Sequence, residues 1–387
     1  MALGGAESAL LGLLQSNCPD KADIDLFLYD HRGELMHFIP DDVMLLPPIE
    51  AYSMIERPLR EIIKKKYWGI ALGRIVASFF ANLERRNNTN GLDDICAYYY
   101  IAKFVAPFLP NINPEVEYDL AISFLQPHLF VLKKVKARKK LAWLHTDYSK
   151  VFVSQKEELV WSQYANIVAI SDEVGKSFVN RFPCLKNKIV SIENILSTKF
   201  IRNRSNEEEI TLPGNGLRLL TIGRYSYPKK LEEIPIITSH LLLTFPNLKW
   251  YIIGYGNPIE EKKLKDAIER EGVQQSVILL GKKSNPYPYI KACDVYVQPS
   301  RYEGKSITVR EAQILCKPVV VTAYPTSTSQ INDRKDGVIV PLEINACVKA
   351  MTEFLEDTKL QNQIISFLSN HNFGNEKEIN KLYQLAK

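Results

Sequence analysis

The chain has 387 residues, 46% hydrophobic and 24% charged, a composition typical of a soluble globular protein with two domains. Its net charge of +5 is too weakly basic to indicate a nucleic-acid partner. No uncharged apolar run reaches the roughly 18 residues of a transmembrane helix. Six cysteines without Cys-x-x-Cys spacing argue against a metal site and predict reduced thiols in a cytoplasmic protein.

The N-terminal segment is predicted to be a Gly4-Gly5 turn that opens an amphipathic helix. A signal peptide is the weaker interpretation, because no basic residue precedes the apolar run and Glu7 lies near its start. Farther on, we predict one long helix from Met54 to Leu83, with Leu72, Ile75 and Phe79 on its apolar side. Strands are predicted in this half at 25–29, 43–46, 119–124, 141–144, 167–170 and 189–192.

A polar, turn-rich stretch at 202–216 is predicted to link two domains. Strands and helices alternate again beyond it, and alternation of this kind produces parallel sheets with crossover connections. We therefore predict an α/β protein with two doubly wound domains, 1–201 and 217–369, and a C-terminal helix, 370–387, that packs back on the first domain. Strands of the second domain are predicted at 217–222, 248–253, 277–280, 295–297, 319–321 and 338–340.

Ligands of doubly wound domains bind at the carboxyl ends of the strands, and residues with chemical potential follow several of the predicted strands. Gly223 and Arg224 follow the first strand of the second domain, and Lys230 comes six residues after Arg224. Arginine offers a fork of hydrogen-bond donors to phosphate oxygens, and lysine adds a compact charge. Gly254 follows the next strand. The pattern favours an anion site, although ordinary surface charge would give the same residues.

Two carboxylates lie in the stretch from Ser300 to Leu315. Glu303 is in a predicted glycine-containing turn, and Glu311 is inside the following helix, for which Ser306 is a good N-cap. From this cap to Glu311 the helix rises roughly 7 to 8 Å. We therefore expect the carboxylates to contact one ligand at two different places rather than to share a proton.

His145 ends a predicted strand of the first domain, where it is a candidate polar contact to a ligand or an acid–base group. A structural histidine is the commoner explanation for this residue taken alone. Asp23-Ile-Asp25 begins a strand instead of following one, which disfavours a metal site there. Neither Gly-x-Ser-x-Gly nor Gly-x-Gly-x-x-Gly occurs after a strand, so hydrolases and dinucleotide enzymes are unsupported.

With these residues in place, the chain resembles the retaining GT-B glycosyltransferases of family 4, the group 1 transferases, of the bacterial surface-polysaccharide type. The strongest match is Glu303-Gly-Lys-Ser-Ile-Thr-Val-Arg-Glu311, and the resemblance extends over nearly the whole chain. It implies two Rossmann-like domains that face each other across a cleft. The other matching motifs are Gly4-Gly-Ala-Glu7, His145-Thr-Asp-Tyr148, Ala169-Ile-Ser-Asp172, Glu193-Asn194, Gly223-Arg-Tyr225 with Lys230, Ile253-Gly-Tyr-Gly256 and Asn285-Pro-Tyr287.

The resemblance also implies that the C-terminal domain holds a nucleotide-sugar donor and that the sugar, of hexose type, moves to a glycan or lipid-linked acceptor with retention of configuration. Arg224 and Lys230 would bind the diphosphate, Glu303 the transferred sugar and Glu311 the ribose, while His145 would contact the sugar from the N-terminal domain. No metal or other cofactor is expected. The implied catalytic residues are Glu303, Arg224, Lys230 and His145, and the implied donor-binding residues are Gly4, Gly5, Gly223, Gly254, Gly304, Lys305, Ser306, Ile307 and Glu311.

The chain departs from the family pattern at two places. Only three residues precede Gly4, so the family's first strand is expected either to be missing or to lie upstream of this start. Lys305-Ser306 stands where the family has an aromatic residue and proline. Lys305 is therefore either a contact to a phosphate or acidic sugar of the donor or a solvated lysine.

Two basic stretches with interleaved apolar residues, Arg57–Trp68 and Leu132–Lys140, suggest contact with an anionic membrane, with a solvated surface as the equal alternative. We accordingly expect a cytoplasmic enzyme that is soluble or peripheral on the inner face of the cell membrane. A non-catalytic nucleotide-sugar-binding protein and another GT-B enzyme, such as a sugar-nucleotide epimerase, remain alternatives.

Overall fold

The computed structural model describes residues 5–88, 92–303 and 305–387, which form two compact units. Unit 1 extends to Ile195 and also includes Asn375–Lys387, and unit 2 is Leu196–Gly374. No helix within the described ranges has the length and apolarity needed to cross a bilayer.

Unit 1 is built around parallel strands. Its largest sheet has four strands in the order β4-β5-β7-β8, while β1 pairs with β2 and β3 with β6 in two smaller parallel sheets. The short pairs β1–β2 and β3–β6 thus lie apart from the four-stranded sheet in the described part of the chain. The strands are β1 Ile24–Leu26, β2 Val43–Leu45, β3 Asp93–Asp94, β4 Tyr118–Ser123, β5 Ala137–Leu144, β6 Val151–Phe152, β7 Asn166–Ala169 and β8 Ile189–Ser191.

Helices surround these sheets. The prediction of one long helix from Met54 to Leu83 is wrong. The chain forms two separate helices there, with Pro58 at the N-cap of the first and Lys66, in a left-handed conformation with φ 66°, ahead of the second. The helices are α1 Gly5–Gln15, α2 Glu50–Ser53, α3 Leu59–Lys64, α4 Trp68–Arg85, α5 Cys96–Val105, α6 Leu129–Lys134, α7 Glu158–Trp161 and α8 Asp172–Arg181.

The side of α4 that faces the protein is also the opposite of the predicted one. Ala77 and Ala81 are buried against α5, and a Cβ atom on Gly73 would lie 2.5 Å from the carbonyl oxygen of Phe104. Leu72 and Phe79, predicted on the apolar side, are instead exposed. Small residues let the two helix backbones approach closely, so the small-residue stripe takes the buried position.

Unit 2 contains one six-stranded parallel sheet in the order β11-β10-β9-β12-β13-β14. The predicted α/β class with doubly wound parallel topology is confirmed, and apolar side chains of these strands form two clusters, one on each face of the sheet. The strands are β9 Arg218–Ile222, β10 Lys249–Ile253, β11 Val277–Gly281, β12 Val295–Gln298, β13 Val319–Thr322 and β14 Val338–Val340.

The helices of unit 2 begin with α9, whose last three residues are the first three of the predicted linker. Arg204 at its end is buried and donates to the carbonyl of Ser284, so this part of the chain is folded into the unit. The helices are α9 Thr198–Arg204, α10 Ile234–Leu241, α11 Pro258–Arg270, α12 Tyr287–Ala292, α13 Ile307–Ile314, α14 Ser327–Gln330, α15 Ile344–Glu356 and α16 Thr358–Ser369.

The chain then returns to unit 1 as α17, Ile379–Ala386. Ile379 and Leu382 are buried in one cluster with Trp143. The hydroxyl of Tyr383 accepts a 2.8 Å hydrogen bond from the backbone N–H of Cys18. The C-terminal helix is therefore part of the core of unit 1.

Candidate functional site

The strand order of unit 2 identifies where a ligand binds in a fold of this type. The sheet grows from β9 toward β11 on one side, and β12 then pairs with β9 on the other side, so the order reverses between β9 and β12. Doubly wound domains bind ligands beyond the carboxyl ends of strands at such a reversal. Gly223 and Arg224 follow β9, and Glu303 follows β12. The structure therefore brings these predicted residues to the two sides of one reversal point.

The carboxylate of Glu303 is held by three donors. Its Oε1 accepts hydrogen bonds from Nζ of Lys229 at 2.6 Å, from the hydroxyl of Ser300 at 2.5 Å and from the side-chain amide of Gln298 at 3.3 Å. Ser300 and Gln298 are buried, while 13% of the Glu303 side chain and 21% of the Lys229 side chain are exposed. A fixed carboxylate and a fixed ammonium group are thus presented together, with solvent access, at the strand reversal.

Lys230, which the sequence suggested as the phosphate contact, has a different place. It is buried, its backbone is left-handed with φ 56°, and its Nζ donates to the carbonyl of Leu342 at 2.6 Å and pairs with Glu233 at 2.8 Å. The short 3₁₀ turn Tyr227–Lys229 ends immediately before it, so the two lysines point to different partners. Lys229, and not Lys230, is therefore the lysine that the structure places at the Glu303 carboxylate.

The loops after β9 and β10 pack directly on each other. The N–H of Gly223 donates to the carbonyl of Ile253, and the N–H of Tyr225 donates to the carbonyl of Tyr255 at 2.9 Å. A Cβ atom on Gly254 would lie 1.9 Å from the carbonyl oxygen of Gly223, a distance at which the backbone would have to move. Gly254 therefore permits the close approach that fixes Gly223 and Arg224.

Glu311 is separated from Glu303 and has its own partner. It is a buried residue of α13 whose Oε1 accepts a 2.9 Å hydrogen bond from the hydroxyl of Tyr287 in α12. Burial raises the pKa of Glu311 to about 7, because a charged carboxylate loses hydration there, and the Tyr287 hydroxyl only partly offsets this. The two glutamates therefore do not form a pair that shares a proton. This agrees with the expectation from their spacing.

The start of α13 is stabilised by a side chain from elsewhere in unit 2. Gln330 accepts from the N–H of Ser306 at 3.0 Å and donates to its carbonyl at 2.6 Å. Ser306 is the N-cap residue, but its hydroxyl contacts that of Thr308 at 3.1 Å instead of capping a backbone N–H. Ile307 is the first helical residue, partly buried, and Lys305 is exposed. The N–H of Ser306, a donor-binding residue implied by the resemblance, is thus already engaged by Gln330.

In unit 1, two buried polar atoms without a hydrogen-bond partner in the described residues lie just beyond the ends of strands. Nε2 of His145 follows β5, and Oδ1 of Asn194 lies three residues beyond β8. The His145 ring meets the Phe124 ring edge-on at 4.6 Å between ring centres. Burial lowers the pKa of His145 to about 4, because the charged imidazolium would lose hydration. His145 is therefore a neutral imidazole near neutral pH, with one ring nitrogen left for a ligand.

The structure describes only some of the remaining predicted site residues. Gly4 and Gly304 lie outside the described residues, and Gly5 is the first residue of α1. Arg224 is exposed at the end of β9. Within the described ranges, no group of three or more His, Cys, Asp or Glu side chains is arranged to hold a metal ion.

Three contributors were missed by sequence reasoning. Lys229 was passed over in favour of its neighbour, and Gln298 and Tyr287 were given no role. Tyr287 lies in the Asn285-Pro-Tyr287 motif, so its sequence position was a usable signal. Gln298 is an amide at the end of an otherwise apolar strand, where a buried polar group requires partners.

The sequence model of the family "Glycosyl transferases group 1" matches residues 203–370, nearly all of unit 2. An uncharacterized glycosyltransferase of Methanocaldococcus jannaschii is 25% identical over 249 residues, which are 60% of each chain. A GDP-mannose:cellobiosyl-diphosphopolyprenol alpha-mannosyltransferase of Xanthomonas campestris is 22% identical over 70% of this chain and 73% of its own. The match to the M. jannaschii protein thus spans less than two thirds of that relative.

The crystal structure of Anabaena HepE in complex with UDP-glucose superimposes with a TM-score of 0.65. The match covers 99% of this chain and 95% of HepE at 16% sequence identity, a level at which the likeness establishes the fold alone. The GT-B fold implied by the motifs is thereby confirmed.

Proposed function

Since this GT-B chain has a C-terminal unit that belongs to the group 1 glycosyltransferases, we propose that it is an enzyme that moves a hexose-type sugar from a nucleotide-sugar donor to a glycan or lipid-linked acceptor, with retention of configuration. The observation that carries the proposal is the contact of Lys229 with Glu303 at the strand reversal of unit 2, where Arg224 follows β9 in sequence. A sugar diphosphate needs cations for its phosphates and a carboxylate for its hydroxyls, and this arrangement supplies both.

Breaking the bond from the sugar to the diphosphate leaves negative charge on the departing group. Arg224 offers two or more N–H donors to phosphate oxygens, and Lys229 adds a positive charge that Glu303 and its neighbours orient in advance. Preorganised donors of this kind are each worth roughly 100- to 1000-fold in rate. Lys229 thus takes the phosphate role that the sequence had assigned to Lys230.

Carboxylates bind sugar hydroxyls as hydrogen-bond acceptors. Glu303, partly exposed, would accept from hydroxyls of the transferred sugar, and Glu311, buried beside Tyr287, from the ribose of the nucleotide. The unpartnered nitrogen of His145 would act as a neutral hydrogen-bonding group, the kind of role that the resemblance implies for this residue. In this scheme the acceptor hydroxyl attacks from the face that the diphosphate leaves, and the diphosphate takes the proton, so no protein nucleophile is needed.

The acceptor class is supported by relatives rather than by geometry. The X. campestris relative acts on a diphosphopolyprenol-linked sugar, and we extend this class of lipid-linked acceptor to the present chain. Synthesis of bacterial capsule, exopolysaccharide or lipopolysaccharide at the inner face of the cell membrane is the corresponding setting. We also propose, as expected from the sequence, that the reaction requires neither a metal ion nor a cofactor.

The first experiment is a thermal-shift screen of UDP-, GDP- and CMP-sugars, because a ligand that binds only the folded protein raises its melting temperature. The donor identified is then incubated with lipid-linked acceptors, and the anomeric configuration of the product is read by NMR. An inverted product would overturn the retaining mechanism. Donor binding without consumption would favour a non-catalytic binding protein, and release of free epimerised sugar would favour an epimerase.

A further inference from the structure

Helix α4 exposes a continuous row of large apolar side chains. The exposed fraction of the residue is 61% at Trp68, 59% at Leu72, 52% at Ile75, 65% at Phe79 and 49% at Leu83. At about 100° per residue, these five positions fall within a sector of roughly 80° on one side of the helix. We call this surface the apolar face of α4. Scattered exposed apolar residues are ordinary, but a contiguous row marks an interaction surface.

The outward position of this face is not a failure of packing. The opposite side of α4 is made of small residues, among them Ala77 and Ala81, which are buried against α5. At Gly73 the two helices are so close that a Cβ atom would lie 2.5 Å from the Phe104 carbonyl oxygen. The helix could not turn its large side chains inward without separating from α5. The apolar face is therefore a fixed feature of unit 1.

The charge around this face is mainly basic, although Glu84 directly follows it. From Ile62 to Leu83 the chain contains no Asp or Glu, and the exposed cations Lys64, Lys65 and Lys66 lie directly before Trp68. Arg85 and Arg86 follow the face at the other end of the helix. Lys65 pairs with Glu50 and Arg85 with Asp94, which leaves the balance around the face basic. An apolar face flanked by cations suits a partner with an anionic surface and an apolar interior. The same pattern does not specify a water-soluble partner.

We propose that the apolar face of α4 docks on an anionic lipid bilayer, with the helix lying in the plane of the membrane. The five side chains enter the boundary between headgroups and acyl chains, and the flanking lysines and arginines contact lipid phosphates. Trp68 lies at the end of the face, where tryptophan favours the membrane interface. Half of α4 remains packed on α5, so the helix lies on the membrane and does not cross it.

The basic stretch Leu132–Lys140 has a different part in the fold. Lys134 donates to the carbonyl of Leu109, and Lys140 donates to the carbonyls of Leu132 and Val135. These two lysines satisfy backbone groups of unit 1, a role that neither the membrane contact nor the solvated surface expected from the sequence included. The other basic stretch, Arg57–Trp68, runs directly into α4 and its apolar face.

The inference depends on unit 1 alone and stands whether or not the proposed sugar transfer is correct. Vesicle binding needs no nucleotide sugar, and donor binding in calorimetry needs no vesicle, so the two proposals fail separately. If both hold, α4 brings the enzyme to the surface where a lipid-linked acceptor resides.

Vesicle sedimentation tests the docking directly. We expect the protein to sediment with vesicles of equal parts phosphatidylglycerol and phosphatidylcholine, and not with phosphatidylcholine alone. Leu72→Asp/Phe79→Asp should weaken binding roughly tenfold or more, because two apolar side chains no longer leave water. The matched control is Leu243→Asp/Ile259→Asp, which changes two exposed apolar residues of unit 2 and should bind as the native protein does. Arg60→Gln/Lys64→Gln should weaken binding about fivefold per cation.

Intrinsic fluorescence gives a second readout. The chain has four tryptophans, and Trp143, Trp161 and Trp250 are buried, so Trp68 is the one that vesicles can reach. Anionic vesicles should shift its emission to shorter wavelength and shield it from acrylamide. Trp68→Phe should remove the shift while keeping vesicle sedimentation.

Two results would overturn the proposal. One is native protein that fails to sediment with anionic vesicles at low salt while its donor binding and melting temperature are normal. The other is a native dimer that Leu72→Asp/Phe79→Asp converts to monomer without any change in vesicle binding, which would make the face a self-association surface. A melting temperature of that variant equal to the native value establishes that loss of binding is not loss of folding.

Discussion

Lys229 and Glu303 are 74 residues apart in the chain, and their side chains meet at 2.6 Å between Nζ and Oε1. The contact joins the loop after β9 to the loop after β12, and the N–H of Arg301 strengthens the junction by donating to the carbonyl of Pro228 at 2.8 Å. A cation and a carboxylate are thus oriented by the fold before any ligand arrives.

The two adjacent lysines should respond differently to replacement. Lys229→Ala should lower kcat roughly 100- to 1000-fold, because a preorganised cation is lost from the developing diphosphate charge, and should leave the melting temperature near the native value. Lys230→Ala should cost about 1 to 3 kcal/mol of unfolding free energy, since a buried side chain and its contacts with the Leu342 carbonyl and with Glu233 are lost. Steady-state kinetics and denaturant unfolding of both variants check this. A larger kcat effect at Lys230 would restore the assignment made from sequence.

Glu303→Gln tests the hydroxyl-binding role of that carboxylate. The amide keeps the shape of the side chain but removes the charge that orients Lys229, so we expect kcat to fall on the order of 100-fold with a smaller change in donor affinity. Kinetics and calorimetry on the same preparation separate the two effects. Weakened donor binding at native kcat would contradict the role.

Donor binding should depend on pH through Glu311. Its pKa is raised to about 7 by burial, and ribose hydroxyls donate to the ionised form, so donor binding should become tighter as pH rises through 7. From about pH 6 to about pH 8 the dissociation constant should fall up to roughly tenfold. Glu311→Gln should bind more weakly and without this dependence. A native dissociation constant that does not change with pH would exclude ionised Glu311 as the ribose acceptor.

The Glu311 carboxyl also makes the stability of the ligand-free protein depend on pH, in a direction that follows from its raised pKa. The folded-state pKa lies above the unfolded value, so the folded protein holds the proton more tightly. The stabilisation is complete at pH values below the unfolded pKa and is lost as pH rises through about 7. Glu157 in unit 1 is also buried with a pKa raised to about 7 and acts in the same direction. The free energy of unfolding of the native protein should therefore fall as pH rises through about 7. This fall should be smaller in Glu311→Gln and in Glu157→Gln, and smallest in the double variant.

Gly254→Ala should disturb the site without touching a charged residue. The added Cβ would lie 1.9 Å from the Gly223 carbonyl oxygen, so the loop carrying Arg224 must move, at a cost of about 1 to 3 kcal/mol. The matched control is Gly223→Ala, whose Cβ would meet only the flexible side chain of Lys229, at 3.3 Å. Thermal unfolding and donor calorimetry should rank Gly254→Ala as the more damaging change. Equal melting temperatures would show that the loops adjust freely.

His145 should not titrate in the working range of the enzyme. Burial lowers its pKa to about 4, so the ring is neutral from about pH 6 to pH 8 and acts by hydrogen bonding. His145→Gln should therefore lower the rate by the same factor throughout this range. A pH–rate profile whose acid limb disappears in the variant would instead identify His145 as an acid–base group.

Much of unit 2 could be predicted from sequence, because its buried strands are uniform apolar runs with clear ends. The strand before Arg224 was placed at 217–222 and is Arg218–Ile222. Lys229 and Lys230 could not be distinguished, since adjacent lysines are equivalent until the backbone turns left-handed at the second. The orientation of α4 was also out of reach. Its sequence has one large and one small apolar stripe, and only the partner helix α5 decides which is buried.

The placement of α17 in unit 1 has a consequence for synthesis on the ribosome. Unit 2 is continuous in sequence, so every residue it needs has emerged once Gly374 is outside the exit tunnel. Unit 1 still lacks Ile379 and Leu382 at that moment, and the cluster around Trp143 stays open until they arrive. The half of the protein that is made first is therefore the half that completes its core last, and nascent chains arrested after Gly374 should carry a folded unit 2 and a protease-sensitive unit 1.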